Sequence, residues 1–443
     1  MKIRKLQLKN IGVFDDETIE FKPCPVKDKA EIHILTGQNG SGKSTILMAL
    51  ANSFTNFSVE LANKSLYSRF NYHNEKDDFG QYFCSLKVFL EDKTSIGLNV
   101  VEDDSLFAFI NGGIENEKIK DYLECIKHPN NFLNPRLSFV PFAFSGYRQI
   151  HSEKVEAIFE PKDFNPLQQS LEFVKDYSQP NQLSINQLIA NNFSKKWIES
   201  SRNPEKSKKF ASVLTSIEKA LYEITGWIIE FDLKTEPTTL VTKINNEELD
   251  FDGLPDGLRS LISWIADLLG RVDLLKWQDD LPVFEKNLIL FLDEIEVHLH
   301  PAWQRKVLPV VQKLFKNSQI FVSTHSPFVV NSVDDAWIYK LEVKKGKARV
   351  IEIVKSEDGF SYSRVLSEIF DIKEEFGIGV QKDLAKFKEL RNKILESKNG
   401  SDKIQKEFLK LAKSLAIQSE ELQTIIQFEI RQVNKRTGKN LAI

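Results

Sequence analysis

Gly37-Gln38-Asn39-Gly40-Ser41-Gly42-Lys43-Ser44 follows the apolar run Glu31-Ile32-His33-Ile34-Leu35 and opens a helix-prone stretch from Thr45 to Phe54. The order is strand, glycine-rich turn, helix. Glycines let backbone N–H groups turn inward around an anion, and the helix N-terminus adds partial positive charge. Lys43 supplies a point charge for outer phosphates, and the Ser44 hydroxyl suits Mg2+. The stretch therefore predicts an α/β lobe with a phosphate site at the end of a strand.

Working outward, Leu288-Ile289-Leu290-Phe291-Leu292-Asp293-Glu294 reads as an apolar strand ending in two adjacent carboxylates. Neighbouring residues on a strand point to opposite faces, so the pair can divide the work. Asp293 is expected beside Ser44 in the Mg2+ shell, and Glu294 is expected to orient or deprotonate an attacking water. A second apolar strand, Gln319–Ser323, ends in Thr324-His325-Ser326-Pro327, which places His325 to donate a hydrogen bond to a γ-phosphate. Between them Leu254-Pro255-Asp256-Gly257-Leu258-Arg259-Ser260 precedes an amphipathic helix and looks like a second anion-facing helix start. One triphosphate cannot easily use both starts within one compact lobe. Two copies placed head to tail can, each supplying half of two composite sites.

The segments Gly37–Thr45, Leu254–Ser260, Leu288–Pro301 and Phe321–Pro327, in that order and with a long insertion after the first, resemble the ABC-type ATPases. Within these the pattern is similar to the group of RecF, the SMC-like repair proteins and the overcoming-lysogenization-defect ATPases. His298-Leu299-His300-Pro301-Ala302-Trp303-Gln304-Arg305-Lys306-Val307-Leu308-Pro309 resembles the branch serving bacterial anti-phage systems, including the ATPase subunits of Septu and retron–Septu systems. The resemblance covers about residues 1–60 and 250–330.

It implies an α/β fold: an ABC-type P-loop ATPase head with an antiparallel β subdomain, a helical insertion and a helical C-terminal appendage. ATP and Mg2+ are the implied cofactors. Gly37, Asn39, Gly40, Ser41, Gly42, Lys43, Ser44 and Thr45 form the glycine loop, with Lys43 on the β- and γ-phosphates and Ser44 and Asp293 on the metal. Glu294 is the implied catalytic carboxylate and His325 the switch histidine. Asp256 and Gly257 would meet ATP across a homodimer, and Gln149 is the candidate for the family's glutamine loop. One departure stands out. The signature serine is replaced by Pro255, which has neither hydroxyl nor N–H to donate, so hydrolysis is expected to be slow. The expected protein is an ATP-gated clamp that dimerises on ATP, with scope for higher homo-oligomers. It would regulate a separately encoded nuclease of the HNH type in phage defence. The alternative is a RecF-like repair ATPase that binds DNA on its own.

Four regions are expected: 1–150, the first part of the head with an antiparallel sheet; 151–250, a mostly helical insertion; 251–335, the second part of the head; and 336–443, a hairpin plus a helical region for partner binding or oligomerisation. No Toprim-type pairing of strand and acidic residues follows His325, and no run sustains three or four heptads. His298 and His300 have a metal-like spacing, but a turn packed on Trp303 is the favoured reading. With 60 Lys+Arg against 63 Asp+Glu no global positive field draws nucleic acid, which leaves DNA contact to local clusters: Lys206, Lys208 and Lys209, and Arg431, Lys435, Arg436 and Lys439. Three scattered cysteines form no disulfide framework and no zinc ribbon. The first residues read as a strand, not a signal peptide, and no apolar run approaches the roughly 20 residues of a membrane helix. A cytoplasmic protein with no membrane contact is expected.

Overall fold

The computed structural model describes residues 1–24, 26–55, 83–101, 106–111, 116–127, 136–146, 165–167, 169–171, 173, 185–235, 238–357, 359–372, 376–396 and 402–442. The chain begins β1 (Ile3–Ile11), β2 (Phe14–Glu20), β3 (Glu31–Gly37), α1 (Lys43–Asn52), β4 (Phe83–Leu90), β5 (Ser95–Val101), β6 (Leu106–Asn111), α2 (Glu117–Lys127) and β7 (Val140–Phe144). It continues α3 (Ile185–Ser200), α4 (Pro204–Thr225), β8 (Ile229–Thr235), β9 (Thr238–Ile244), β10 (Glu247–Asp250), α5 (Asp256–Leu274), β11 (Leu288–Leu292), α6 (Pro301–Leu314), β12 (Gln319–Ser323), β13 (Trp337–Lys344) and β14 (Lys347–Lys355). Three further helices follow: α7 (Ile378–Glu396), α8 (Asp402–Ala416) and α9 (Glu420–Thr437).

Met1–Phe370 form one compact unit. Its centre is a sheet of order β14-β13-β3-β12-β11-β7, in which every pairing but β13–β14 is parallel. All five residues of β7, β11 and β12 are buried, as expected for strands covered on both faces. Such strands read as unbroken apolar runs. The antiparallel sheet β2-β1-β4-β5-β6 lies beside it and contains the alternation Leu6, Leu8 on the buried side. Gln319 at the start of β12 ties the two together: it accepts the Ile3 N–H at 2.7 Å and donates to the Ile3 carbonyl at 2.9 Å. The Glu31 carboxylate accepts from Arg4 (2.6 Å), Gln319 (2.7 Å) and His33 (2.9 Å) at the same junction. Burial alone would raise its pKa; these donors outweigh it and hold it at about 2.

Two differences from the sequence expectation concern the insertion and the hairpin. Within 151–250 the described helices are α3 and α4, which pack on α5 and, for α4, on α6, so they lie along the head. The strands β8, β9 and β10 in this region form a three-stranded antiparallel sheet of order β10-β9-β8. The hairpin expected to begin the C-terminal region belongs to the central sheet, because β13 pairs in parallel with β3 from Trp337↔His33 to Leu341↔Gly37.

Asp371–Ile443 form the second unit, a bundle of α7, α8 and α9. Leu384, Phe387 and Ile394, then Phe408, Ala412 and Leu415, then Leu422, Ile426, Ile430 and Val433 recur at helical spacing and fill its core. Phe387 and Phe408 stack with centroids 4.6 Å apart, and Arg391 pairs with Glu429 at 2.6 Å.

Candidate nucleotide-binding site

β3 ends at Gly37 and α1 starts at Lys43, which puts the glycine turn at the mouth of the central sheet beside β12. Gly37 (φ 149°), Gly40 (78°) and Gly42 (91°) all take positive φ. Space is also short. A Cβ on Gly37 would lie 2.4 Å from the Leu341 carbonyl oxygen, and one on Gly42 would lie 2.5 Å from the Phe14 ring. Gln38, Asn39 and Gly40 are exposed at the tip, while Ser41, Lys43 and Thr45 are buried beneath it. The Lys43 ammonium folds over the turn and donates to the carbonyls of Gly37 and Gln38, each at 3.0 Å. Its partners are oxygen atoms, the same acceptors a phosphate offers. Burial lowers the Lys43 pKa, and Asp293, Glu294 and Glu296 pull it back up.

Opposite the turn stands the end of β11. Ser44 donates its hydroxyl to Asp293 Oδ1 at 3.0 Å, across 249 residues of sequence. Ser323, at the end of β12, donates to the same Asp293 oxygen and accepts the Glu294 N–H at 2.8 Å. Mg2+ takes oxygen ligands and is held by few protein groups plus substrate phosphates. The hydroxyl of Ser44 and the carboxylate of Asp293, already side by side at the anion-binding turn, fit that requirement. Glu294 adopts φ 47°, so the chain turns sharply out of the strand there. Gly146, just past β7, makes the room: a Cβ on it would lie 2.7 Å from the Glu294 Cβ and 3.0 Å from its Oε2.

His325 follows β12 with its main-chain N–H bound to Glu296 Oε1 at 2.6 Å. Burial lowers its pKa first, nearby Lys43 lowers it further, and Asp293 opposes both. These influences favour the neutral ring, which keeps one N–H to donate. Glu296 shifts upward, chiefly from burial.

The third segment starts α5. Pro255 occupies the N-cap and accepts the Leu258 and Arg259 N–H groups, at 2.9 and 3.0 Å, and no side chain caps the helix. Pro255 and Asp256 are exposed, and the Asp256 carboxylate pairs with Arg259. Gly257 is buried against its own chain, where a Cβ would meet the His298 carbonyl oxygen at 2.6 Å and the Trp303 ring at 3.2 Å.

The structure thus brings Gly37–Thr45, Asp293, Glu294 and His325 into one neighbourhood, while Asp256 and Gly257 stand at the start of α5. Gln149 lies outside the described residues, as do the side chains of Lys206 and Lys209. His300 caps α6 by accepting the Ala302 N–H on Nδ1 at 3.2 Å, and among the described residues no cluster of His, Cys, Asp and Glu is arranged to hold a metal by itself. Cys24, Cys84 and Cys125 form no disulfide. No helix of the described residues is long and apolar enough to cross a membrane. Sequence reasoning missed Gly146, Glu296 and the double role of Ser323. The hydroxyl-rich end of β12 was the available signal for the last.

The fold has the mixed α/β architecture of SMC head domains, with the glycine turn and the acidic strand end meeting at one edge of the central sheet. The crystal structure of an SmcHead bound to the C-winged helix domain of ScpA aligns over 80% of this chain and 98% of its own, at a TM-score of 0.50 and 15% identity, a likeness of fold. Residues 127–331 match the family described as "AAA domain, putative AbiEii toxin, Type IV TA system", and residues 1–73 match a second AAA-domain family. Among curated relatives the chain is similar to the retron Ec83 probable ATPase of Escherichia coli, 25% identical over 84% of this chain and 77% of that one. It is also similar to the Septu protein PtuA of Bacillus thuringiensis, 24% identical over 74% of this chain and 73% of that one.

Proposed function

We propose that this chain is a slow ATPase whose two copies pair head to tail around two Mg2+–ATP molecules, and that the paired state controls a separate effector nuclease in anti-phage defence. The observation that carries the reading is the Ser44–Asp293 hydrogen bond at 3.0 Å, which joins the phosphate turn to the acidic strand end. In it, the N–H groups of the turn and Lys43 bind the β- and γ-phosphates, and Ser44 and Asp293 hold the metal. Bound Mg2+ would offset phosphate charge. Glu294 orients or deprotonates the attacking water, and His325 donates a ring N–H toward the γ-phosphate. The partner's α5 start, uncapped and with Pro255 exposed, supplies the second set of N–H groups. Pro255 has no hydroxyl to offer there, which supports slow turnover and a clamp-like use of ATP. Similarity to retron and Septu proteins supports the defence setting, and a separate effector is the partner that an ATP-gated clamp would act on.

ATP acts here through its different affinity for paired and unpaired chains. Each charge-assisted bond across the interface contributes about 1.5–3 kcal/mol, so two would shift pairing by roughly 10²- to 10⁴-fold. The test measures nucleotide affinity, phosphate release and solution mass for wild type, Lys43→Ala and Glu294→Gln. Lys43→Ala should lose nucleotide affinity by on the order of 100-fold. Glu294→Gln should bind normally, release phosphate slowly and stay paired longer after ATP is added. Masses indifferent to ATP in both wild type and Glu294→Gln would end the clamp reading, and a pull-down with the products of adjacent genes tests the effector.

A further inference from the structure

Two parallel strand ends carry the acidic pair and the switch histidine, and main-chain register alone does not fix the loops that follow them. After β11 the chain makes two tight turns, with Val297 N–H on the Glu294 carbonyl at 3.1 Å and Leu299 N–H on that of Glu296 at 2.9 Å. This loop faces two ways. On one side the His298 carbonyl abuts Gly257 at the start of α5. On the other, Glu296 Oε1 takes the main-chain N–H of His325 at 2.6 Å, and its Oε2 is closed off from solvent. The next residue of the histidine loop is held as well: Ser326 donates its hydroxyl to Gln304 of α6 at 2.5 Å, and Gln304 donates to the Leu299 carbonyl at 2.8 Å.

We propose that Glu296 is a positioning residue: by accepting the His325 N–H it fixes the histidine loop against the acidic end of β11, so that His325 and Glu294 address one phosphate from set places. The proposal rests on the ATPase reading for its consequence in turnover, but the loop contact itself needs no nucleotide. A side-chain oxygen that accepts a main-chain N–H ties the loop to the residue that carries it, and at 2.6 Å this hydrogen bond is short. Displacing a catalytic group by about 1 Å can cost on the order of 100-fold in rate, which is the leverage such a contact has. Glu296 touches the main chain of His325 and not the ring, so it acts through another residue.

The experiment pairs hydrogen exchange with kinetics on the full-length chain. Glu296→Ala removes the acceptor; Glu296→Gln keeps an oxygen that can accept the same N–H. In the absence of nucleotide, amide exchange in the peptide covering 319–330 should quicken in Glu296→Ala and stay near wild type in Glu296→Gln. In Mg2+–ATP, kcat should fall by about 10- to 100-fold in the Ala variant with KM little changed, and Glu296→Gln should restore it to within about threefold. If Glu296→Ala does not fold, Glu296→Asp, one methylene shorter, should show the same exchange signature. Unchanged exchange in the variant that lacks the acceptor overturns the proposal, and so does equal loss of kcat in the Ala and Gln variants, which would make the charge itself the requirement. A wild-type chain that shows the exchange pattern but releases no phosphate refutes the ATPase reading and leaves the loop contact standing.

Discussion

At Gly257 a single hydrogen atom decides whether α5 can start where it does. A methyl group there would press on the His298 carbonyl oxygen at 2.6 Å, backbone against backbone, so neither side can yield by a rotamer change. Gly257→Ala should therefore destabilise the head by about 1–3 kcal/mol, read as a lowered Tm in thermal unfolding. Glu31 makes a pH prediction. Its pKa drops from 4.5 to about 2 in the folded chain, so the carboxylate favours the fold. That contribution is full above pH 4.5 and is lost as the pH falls toward 2, and it amounts to on the order of 3 kcal/mol. Tm should fall over this window in wild type and more shallowly in Glu31→Gln. Lys43, Ser44 and Asp293 stand out in the sequence because they sit in local strings, and the structure brings them together. Gly146 and Glu296 do not: Gly146 matters only because β7 lies beside β11, and Glu296 only because β12 lies on the other side.

Among the elements, the three parallel strands β3, β12 and β11 place His33, Phe321 and Phe291 opposite one another, and the rings stack at 4.8 and 5.6 Å. The apolar runs that form these strands are plain in the sequence; their order in the sheet is not, since it depends on which long-range pairing buries most. The meander β8–β10 shows the opposite case. Asn245 and Asn246 take φ of 49° and 75°, a hairpin turn suited to asparagine, yet the helical periodicity just before it dominated the reading of the whole insertion. In the C-terminal bundle the helical spacing was readable and the partner positions were not. Phe387 is fully buried and stacked on Phe408, so Phe387→Ala should cost about 3–5 kcal/mol. Calorimetry should show the loss in the transition of the bundle, with nucleotide affinity unchanged.

On the scale of the molecule, everything assigned to the nucleotide lies in Met1–Phe370, and Asp371–Ile443 holds its own core. A chain ending at Phe370 should bind ATP within about threefold of the full-length protein, measured by titration calorimetry, because no proposed phosphate contact is removed. β3, which carries the phosphate turn, is flanked by β12 and β13, strands encoded some three hundred residues later. A nascent chain leaving the ribosome thus displays its most recognisable motif long before that motif has neighbours to lean on. Until β13 has emerged, β3 lacks one or both of its sheet partners, so the turn at its end is held in place only once the last strands of the head are made.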